Sequence, residues 1–514
     1  MMAMDRREVL EKRKESERGE KRTRHFFTSQ ATMVITDAQD VVGMHRRLVD
    51  VLSDEEIARI GASGWLSRPL RIGTVCSGTD APTMALEHVL QALTDRDGQL
   101  LSPQAKMEHV FSCENVPFKR SFIASTTKPP LLFNDVTDIA EGKGRCHDGK
   151  VREVPESFDV LIAGTECVDF SNLTTTPKGL RGGGRSAITF WATVDLAELR
   201  QPPLVILENV ASCPAKEMEQ AFRDIGYDAV HTKLCTSDYL LPQSRRRAYF
   251  VFCHQDKAQF IGDDGEAWVK CMERLGSKRK SLPKEKALGW TDFLVSDVDT
   301  MYSKNKGKKP RGKSLNESLG AKWLAEIKSI EEKEDLAAYN DDGGRPYSDA
   351  TKGVDALALL PDRAKMRLDV QCKRAQKAGI DPFEVPLLWN PAQQLRFTDA
   401  GFTKDGGDAK SIAPCITPKH EWIVSSRKAP FTGEEALLLQ GISLKSYDPK
   451  ALKKFDGQQL RDLAGNAMSV TVVAAVFLSC FLNCELVGEE SNSKRMPSTD
   501  ASEGNGNKRM RFAV

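Results

Sequence analysis

None of the twelve cysteines in this chain forms a CxxC pair, and no Cys/His cluster has zinc-ligand spacing. That argues against a structural zinc site, any other metal centre and a redox dithiol. The thiols are expected to be reduced, mostly core residues. No apolar stretch runs the roughly 18–20 uninterrupted residues of a membrane span. The first residues carry charge in place of a secretory apolar segment, so the expectation is a protein without a membrane partner that stays inside a cell. Lys plus Arg total 74 against 72 Asp plus Glu, a net charge of only +2. A nucleic-acid partner therefore has to be argued from local patches. No internal repeat, zinc finger, chromatin reader or helicase motif is recognisable, so nothing speaks to recruitment or protein partners.

The 514 residues, 40% hydrophobic and 28% charged, suit a globular protein of two or three units. Residues 1–45 mix Arg6, Arg7, Lys12 and Arg22 with nearly as many acids and few apolar anchors, which reads as a charged tail or solvated helix. From Arg71 apolar runs alternate with helical patterns: Ile72–Cys76, Met84–Leu93, His109–Cys113, Phe158–Ala163, Leu204–Leu207 and Ala248–Cys253, with amphipathic Glu217–Ile225 among them. The alternation predicts an α/β fold with a doubly wound, Rossmann-like sheet over residues 46–255, ending in a hairpin-like pair. Periodicity weakens over 256–410, as in an inserted, irregular domain. It returns over 411–487, with helices expected at Thr432–Gln440 and, as one long buried element, Ala464–Leu482. Residues 488–514, rich in Ser, Gly, Asn and Lys, read as a disordered tail.

Cys167 follows the run Phe158–Ala163, so its thiol is expected on a loop at a strand's carboxyl end, where open α/β sheets place their chemistry. The turn Cys76-Ser77-Gly78-Thr79 would let a ligand approach the backbone and a helix N-terminus, although a plain tight turn needs the same residues. Glu114, followed by Asn115, ends the next run, and an acid there commonly takes ribose hydroxyls in nucleotide-binding folds. Glu208 ends a further run and should share the carboxyl edge with Cys167; an ordinary surface glutamate is the plainer alternative. Arg245, Arg246 and Arg247 form either a solvated edge or an anion clamp. The basic clusters Lys278–Lys280 and Lys304–Lys313 are phosphate contacts or solvated loops.

Taken in order, these motifs resemble the carbon-5 cytosine-specific DNA methyltransferase family. Its members carry a Gly-containing turn like Val75–Ala81, an acid like Glu114, an aspartate like Asp135 before Val136, and a cysteine loop ending in Phe-Ser, here Phe170-Ser171. A Glu-Asn-Val triplet like Glu208–Val210 and a Gln-x-Arg-x-Arg element like Gln243, Arg245 and Arg247 follow. The likeness covers about 70–255 and resumes over 411–485, with Thr432–Gly441 and Gly465-Asn466-Ala467-Met468-Ser469. The gap, 256–410, corresponds to the family's target recognition domain. Two departures stand out. The family's Pro-Cys-Gln is Glu166-Cys167-Val168, and its Phe-x-Gly-x-Gly is Cys76–Asp80. A carboxylate beside a thiol disfavours the thiolate, and it repels DNA phosphate unless it is turned away or paired.

The resemblance implies transfer of a methyl group from S-adenosylmethionine to carbon 5 of a cytosine flipped out of DNA. Cys167 would be the nucleophile, Glu208 would hold or protonate the ring nitrogen, and Arg245 and Arg247 would hold the base carbonyl and nearby phosphates. The cofactor would lie on Cys76, Ser77, Gly78 and Thr79, with its ribose at Glu114 and Asn115, its adenine near Asp135 and Val136, and Asn466 and Ser469 contributed by the last motif. Ser171–Arg185 would close over the base, hinged at Gly182–Gly184, with Ser186, Thr189 and Phe190 lining the cofactor pocket. The tail patch Lys508-Arg509-Met510-Arg511 hints at the nucleus; a prokaryotic or viral chain would be cytoplasmic. Three alternatives are weighed. An RNA methyltransferase of the tRNA branch would be expected to carry a Cys-Phe-Thr signature, which is absent. An inactive DNA-binding relative is not required, since Cys167 and Glu208 are both retained. A dinucleotide enzyme would need the complete GxGxxG that is missing, and would leave the Glu-Asn-Val triplet unexplained.

Overall fold

The computed structural model describes residues 40–96, 104–171, 178–262, 265–276, 288–296, 317–336, 345–391 (without 352–353, 355–356 and 358–359), 412–443, 445 and 448–487. Most of the charged tail, both basic clusters, residues 172–177 of the loop after Cys167, and the end segment with Lys508–Arg511 lie outside the described residues.

Seven strands make the main sheet: β1 Leu70–Val75, β2 Met107–Cys113, β3 Leu132–Phe133, β4 Val160–Ala163, β5 Leu204–Val210, β6 Tyr227–Cys235 and β7 Arg246–His254. Their spatial order is β3-β2-β1-β4-β5-β7-β6. β1, β2, β3, β4 and β5 are parallel, and β7 runs antiparallel between β5 and β6. The expected doubly wound sheet and its hairpin-like ending are both present. β4 and β5 are buried along their whole length, as strands covered on both faces must be. Their side chains alternate between two cores. Ile72, Val160, Ile162, Leu204 and Ile206 pack on one face, and Val75, Leu161, Ala163, Val205 and Leu207 on the other. Each such side chain removed from water stabilises the fold by roughly 1.5–3 kcal/mol before entropy is counted.

Register builds the site. The chain winds outward from β1 through β2 to β3, then returns to β4 and β5 on the other side, so the switch point lies between β1 and β4; ligands bind outside the carboxyl ends at such a point. Val75 is level with Cys113 and with Ala163, and Ala163 with Leu207. The residues just beyond these positions, Cys76, Glu114 and Gly164, therefore leave the sheet beside Glu208, which is still on β5. The antiparallel ladder sets Arg247 opposite Val210.

Three expectations are corrected. The tail does not run to residue 45: helix α1, Val41–Val49, buries Met44, Leu48 and Val49 in the first core. The single helix Ala464–Leu482 is two, Gly457–Asn466 and Val470–Asn483, because Ala467 is extended at φ −70°, ψ 145°. This stretch, Gly457–Asn483, is long and apolar enough to cross a membrane, but 94% of its apolar window is buried inside the protein, as in a core helix. Finally, the unit built on the main sheet does not stop at residue 255. Trp268, Met272, Leu275, Trp290 and Phe293 belong to the first core, and Ala258–Phe260 pairs with Cys484–Leu486.

Within 256–410 the helices Glu317–Glu334 and Asp362–Lys377 are joined by charge: Arg367–Glu326 at 3.0 Å and the buried Lys373–Glu331 pair at 2.7 Å. A small sheet of Leu388–Trp389, Ile423–Val424 and Ala429–Pro430 connects this region to the rest. By the period of two, Leu388 and Val424 face the first core while Trp389 and Ile423 face the core of the inserted region.

Candidate active site

One cavity of about 780 Å³ opens at the switch point. Cys76, Gly78, Glu114, Asn115 and Val136 line one part of it, and Cys167, Glu208, Arg245 and Arg247 another, with Asn466 also on its wall. The expected nucleophile and the expected cofactor cradle thus share one space.

Cys167 is half-buried on the loop after β4, whose carbonyl accepts from the Phe170 and Ser171 N–H groups at 3.1 and 3.0 Å. Burial raises the thiol pKa, and the Glu208 carboxylate raises it further; Arg247 and Arg245 oppose, and Glu166 adds a smaller upward push. Glu208 is 8% exposed. Its Oε1 lies 3.1 Å from Arg247 Nε, an ion pair lacking hydrogen-bond alignment, so this buried oxygen has no hydrogen-bond donor among the described residues. Asn209 ties the strand end to the nucleophile loop: its Nδ2 donates to Thr165 Oγ1 at 2.9 Å. Glu166, the departure beside the thiol, is paired. Its Oε1 accepts from Arg185 Nη2 at 2.9 Å, so the charge is paired.

The cradle turn is held open by left-handed backbone at Cys76, Gly78 and Asp80, with φ of 51°, 57° and 56°. Non-glycine residues in that region cost of order 1–3 kcal/mol each and cluster at functional sites. Buried Asp80 holds the turn, accepting from Thr74 Oγ1 at 2.6 Å and Ser112 Oγ at 2.7 Å. Glu114 accepts one backbone N–H on each carboxylate oxygen, from Gly78 at 2.8 Å and Val116 at 2.9 Å. An ionised carboxylate has about four acceptor sites, so capacity for a pair of ribose hydroxyls is left. Together with apolar Val116 and Val136 on the same wall, this donor set fits the nucleoside part of S-adenosylmethionine.

Several expected residues hold the backbone in place of a ligand. Arg245 does not reach for a base: it is 3% exposed, and its guanidinium donates to the carbonyls of Ile416 at 2.9 Å, Ala467 at 2.9 Å and Gly465 at 3.2 Å. Ser469 is buried between Gln440 Oε1 and Thr236 Oγ1, both at 2.8 Å. Ser77 donates to the Cys113 carbonyl at 3.0 Å, Thr79 is buried behind the turn, and Asp135 caps Val136–Ile139 through Thr137. None of these four lines the cavity. Of Ser186, Thr189 and Phe190 only Thr189 does, since Ser186 bonds Asp169 and Phe190 sits in the second core. Sequence reasoning missed Cys415, whose Sγ lies 3.8 Å from Arg245 and 3.9 Å from Arg247, and its cavity-lining neighbours Thr417 and Trp422. No local pattern marks them; only the resumption of family motifs at 411 pointed to the segment.

A thiol, a carboxylate and a guanidinium around one cavity at a sheet's switch point form a constellation for covalent catalysis. The C-5 cytosine-specific DNA methylase family model matches residues 100–481, and the chain belongs to that family. It is 32% identical over 443 residues to the DNA (cytosine-5-)-methyltransferase DMT5 of Cryptococcus neoformans var. grubii, a match covering 83% of this chain and 18% of that protein. It is 24% identical over 475 residues to the protein of the same name from Verticillium dahliae, covering 80% and 19%. The chain thus matches about a fifth of the length of these two relatives. A smaller relative, the orphan methyltransferase M.SPRI of Bacillus phage SPR, is 24% identical over 399 residues, covering 68% of this chain and 85% of that one.

Proposed function

We propose that this chain transfers a methyl group from S-adenosylmethionine to carbon 5 of a cytosine in DNA, through a covalent adduct on Cys167. One observation carries the reading: strand register brings Cys167, Glu208 and Arg247 onto a cavity continuous with the Gly78–Glu114 cradle. Placement with chromosomal DNA, nuclear in a eukaryote, goes with it.

Carbon 5 of cytosine is a weak nucleophile, so carbon 6 must first be attacked by a strong one. The Cys167 thiolate forms that bond, and the ring electrons shift toward carbon 5 and the ring nitrogen. Glu208 in its protonated form holds that nitrogen and passes its proton to it, neutralising the negative charge that develops there. Arg247, ion-paired to Glu208, keeps the carboxylate aimed into the cavity and offers its charge to the base carbonyl. Arg245 acts one layer back, fixing the 416 and 465–467 backbone that walls the site. When bound at Cys76, Gly78, Glu114, Asn115, Val116 and Val136, S-adenosylmethionine supplies an electrophilic methyl group. Water then takes the carbon 5 proton, the thiolate leaves carbon 6 and the ring nitrogen returns its proton to Glu208, restoring the aromatic ring. Because carbon 6 is hidden in a stacked duplex, the base has to be flipped into the cavity.

The test is transfer of tritium from labelled S-adenosylmethionine to duplex DNA and to tRNA, with Cys167→Ala as control and digestion to identify the labelled nucleoside. Carbon-5 methylcytosine in DNA, lost in the variant, is the expected result; label on tRNA alone moves the chain to RNA, and no label on either overturns the proposal.

A further inference from the structure

The loop that carries Cys167 is attached on both sides to the first turn of one helix, Arg185–Arg200. On the near side the Glu166 N–H donates to Thr189 Oγ1 at 3.1 Å, and its carboxylate accepts from Arg185 at 2.9 Å. Arg185 and Thr189 are four residues apart and so share a helix face. On the far side the attachment is reciprocal: the Asp169 N–H donates to Ser186 Oγ at 3.0 Å, and its Oδ2 accepts from the Ser186 N–H at 2.9 Å. Cys167 lies between these anchors, one residue from Glu166 and two from Asp169. The far anchor also caps the helix, since Gly184 at the cap position has no side chain of its own to offer the first turn. Only the near anchor contains an ion pair between two long side chains, so it decides how far the loop can pivot about the Asp169–Ser186 joint.

We propose that Glu166 and Arg185 are positioning residues for the nucleophile: their pair holds the loop against the helix and aims the Cys167 thiol into the cavity. The inference rests, for its kinetic part, on the methyl-transfer reading above. Two magnitudes separate positioning from stability. The Arg185 side chain is 68% exposed, and such pairs contribute about 0–1 kcal/mol to folding. Misplacing a reacting group by an ångström, by contrast, costs up to about a hundredfold in rate. Sign separates positioning from electrostatics. After burial and Glu208, the Glu166 charge also raises the thiol pKa, with Arg247 and Arg245 opposing. Removing Glu166 therefore makes the thiol easier to ionise while leaving it loosely held. If charge alone mattered the reaction would quicken; if position governs, it slows.

The experiment compares the parent chain with Glu166→Ala, Arg185→Ala and the exchanged pair Glu166→Arg/Arg185→Glu. Hydrogen exchange over 164–171, single-turnover methylation at saturating cofactor and duplex, and the pH dependence of Cys167 alkylation by iodoacetamide are read for each. In both single variants loop protection is expected to fall and methylation to slow by roughly tenfold or more, while Tm moves by no more than about 2–4 °C. Glu166→Ala should alkylate at lower pH than the parent despite its slower methylation, and the exchanged pair should recover protection and most of the rate. Parental exchange and rates in the single variants, or an exchanged pair that recovers neither, overturn the proposal. A parent chain that transfers no methyl group sinks the methyl-transfer reading instead, and the exchange measurements still decide whether the pair holds the loop.

Discussion

The reacting residues work against each other's charge. Glu208 lies close enough to Cys167 to raise its pKa, on top of the effect of burial, so the free site holds a protonated thiol. The account predicts alkylation of Cys167 that rises with pH through a midpoint above the ordinary thiol value of about 8.5, because only the thiolate reacts. Glu208→Gln should shift that midpoint down, yet slow methylation by about 10²–10⁴-fold through loss of proton transfer to the ring nitrogen. The two arginines separate just as sharply. Arg245→Lys gives up a fork that serves three backbone carbonyls, each hydrogen bond of a charged group being worth about 1.5–3 kcal/mol, so its Tm should fall by several degrees. Arg247→Lys should leave Tm nearly unchanged and reduce turnover, measured as kcat under cofactor saturation. Residues whose place depends on local pattern were legible in the sequence: Glu208 and Glu114 end apolar runs, and Cys167 and Gly78 lie in the loops that follow such runs. Arg245 and Ser469 were placed in the machinery by motif alone, and their partners, 171–222 residues away for Arg245 and 233 for the Ser469 bond to Thr236, are set by tertiary packing that no local window contains.

At the scale of elements, the parallel strands were readable because β4 and β5 are unbroken apolar runs, and β6 was not, because Asp228, His231 and Lys233 interrupt it at the edge of the sheet. The break at Ala467 was hidden for the opposite reason. Small and apolar residues continue through it, and the interruption comes from contacts: Arg245 takes the carbonyls of Gly465 and Ala467, and Ser469 is drawn to Gln440. Helix Gly457–Asn466 also runs so close to the 417–418 backbone that a Cβ on Gly465 would lie 2.2 Å from Pro418 N and 2.4 Å from the Thr417 carbonyl carbon. Neither backbone atom can swing aside. Gly465→Ala should therefore push the helix off this wall of the cavity, destabilising the protein by about 1–3 kcal/mol and weakening cofactor binding. Differential scanning calorimetry and a cofactor titration check the two parts separately.

For the molecule as a whole, acid sensitivity follows from histidines sealed in its cores. His45 Nδ1 donates to the Val41 carbonyl at 2.7 Å, its ring meets His88 edge-on at 4.9 Å, and burial holds its pKa down to about 3; His420 is held to about 4 by the same cause. The fold keeps both rings neutral, whereas the unfolded chain takes up their protons below about pH 6.5. The unfolded state thus binds more protons as pH falls, and stability declines by about 1.4 kcal/mol per histidine between pH 7.5 and 5.5. His45→Phe should flatten part of that slope, read as Tm between pH 7.5 and 5.5. The central claim is tested most directly by incubating the chain with cofactor and a duplex whose cytosines carry fluorine at carbon 5, so that the proton lost in the last step is missing and the adduct cannot resolve. Intact-mass and peptide analysis should then find the DNA strand bonded to Cys167 together with a transferred methyl group, and nothing trapped in Cys167→Ala. A chain that methylates ordinary duplex DNA yet forms no bond at Cys167 would contradict the account.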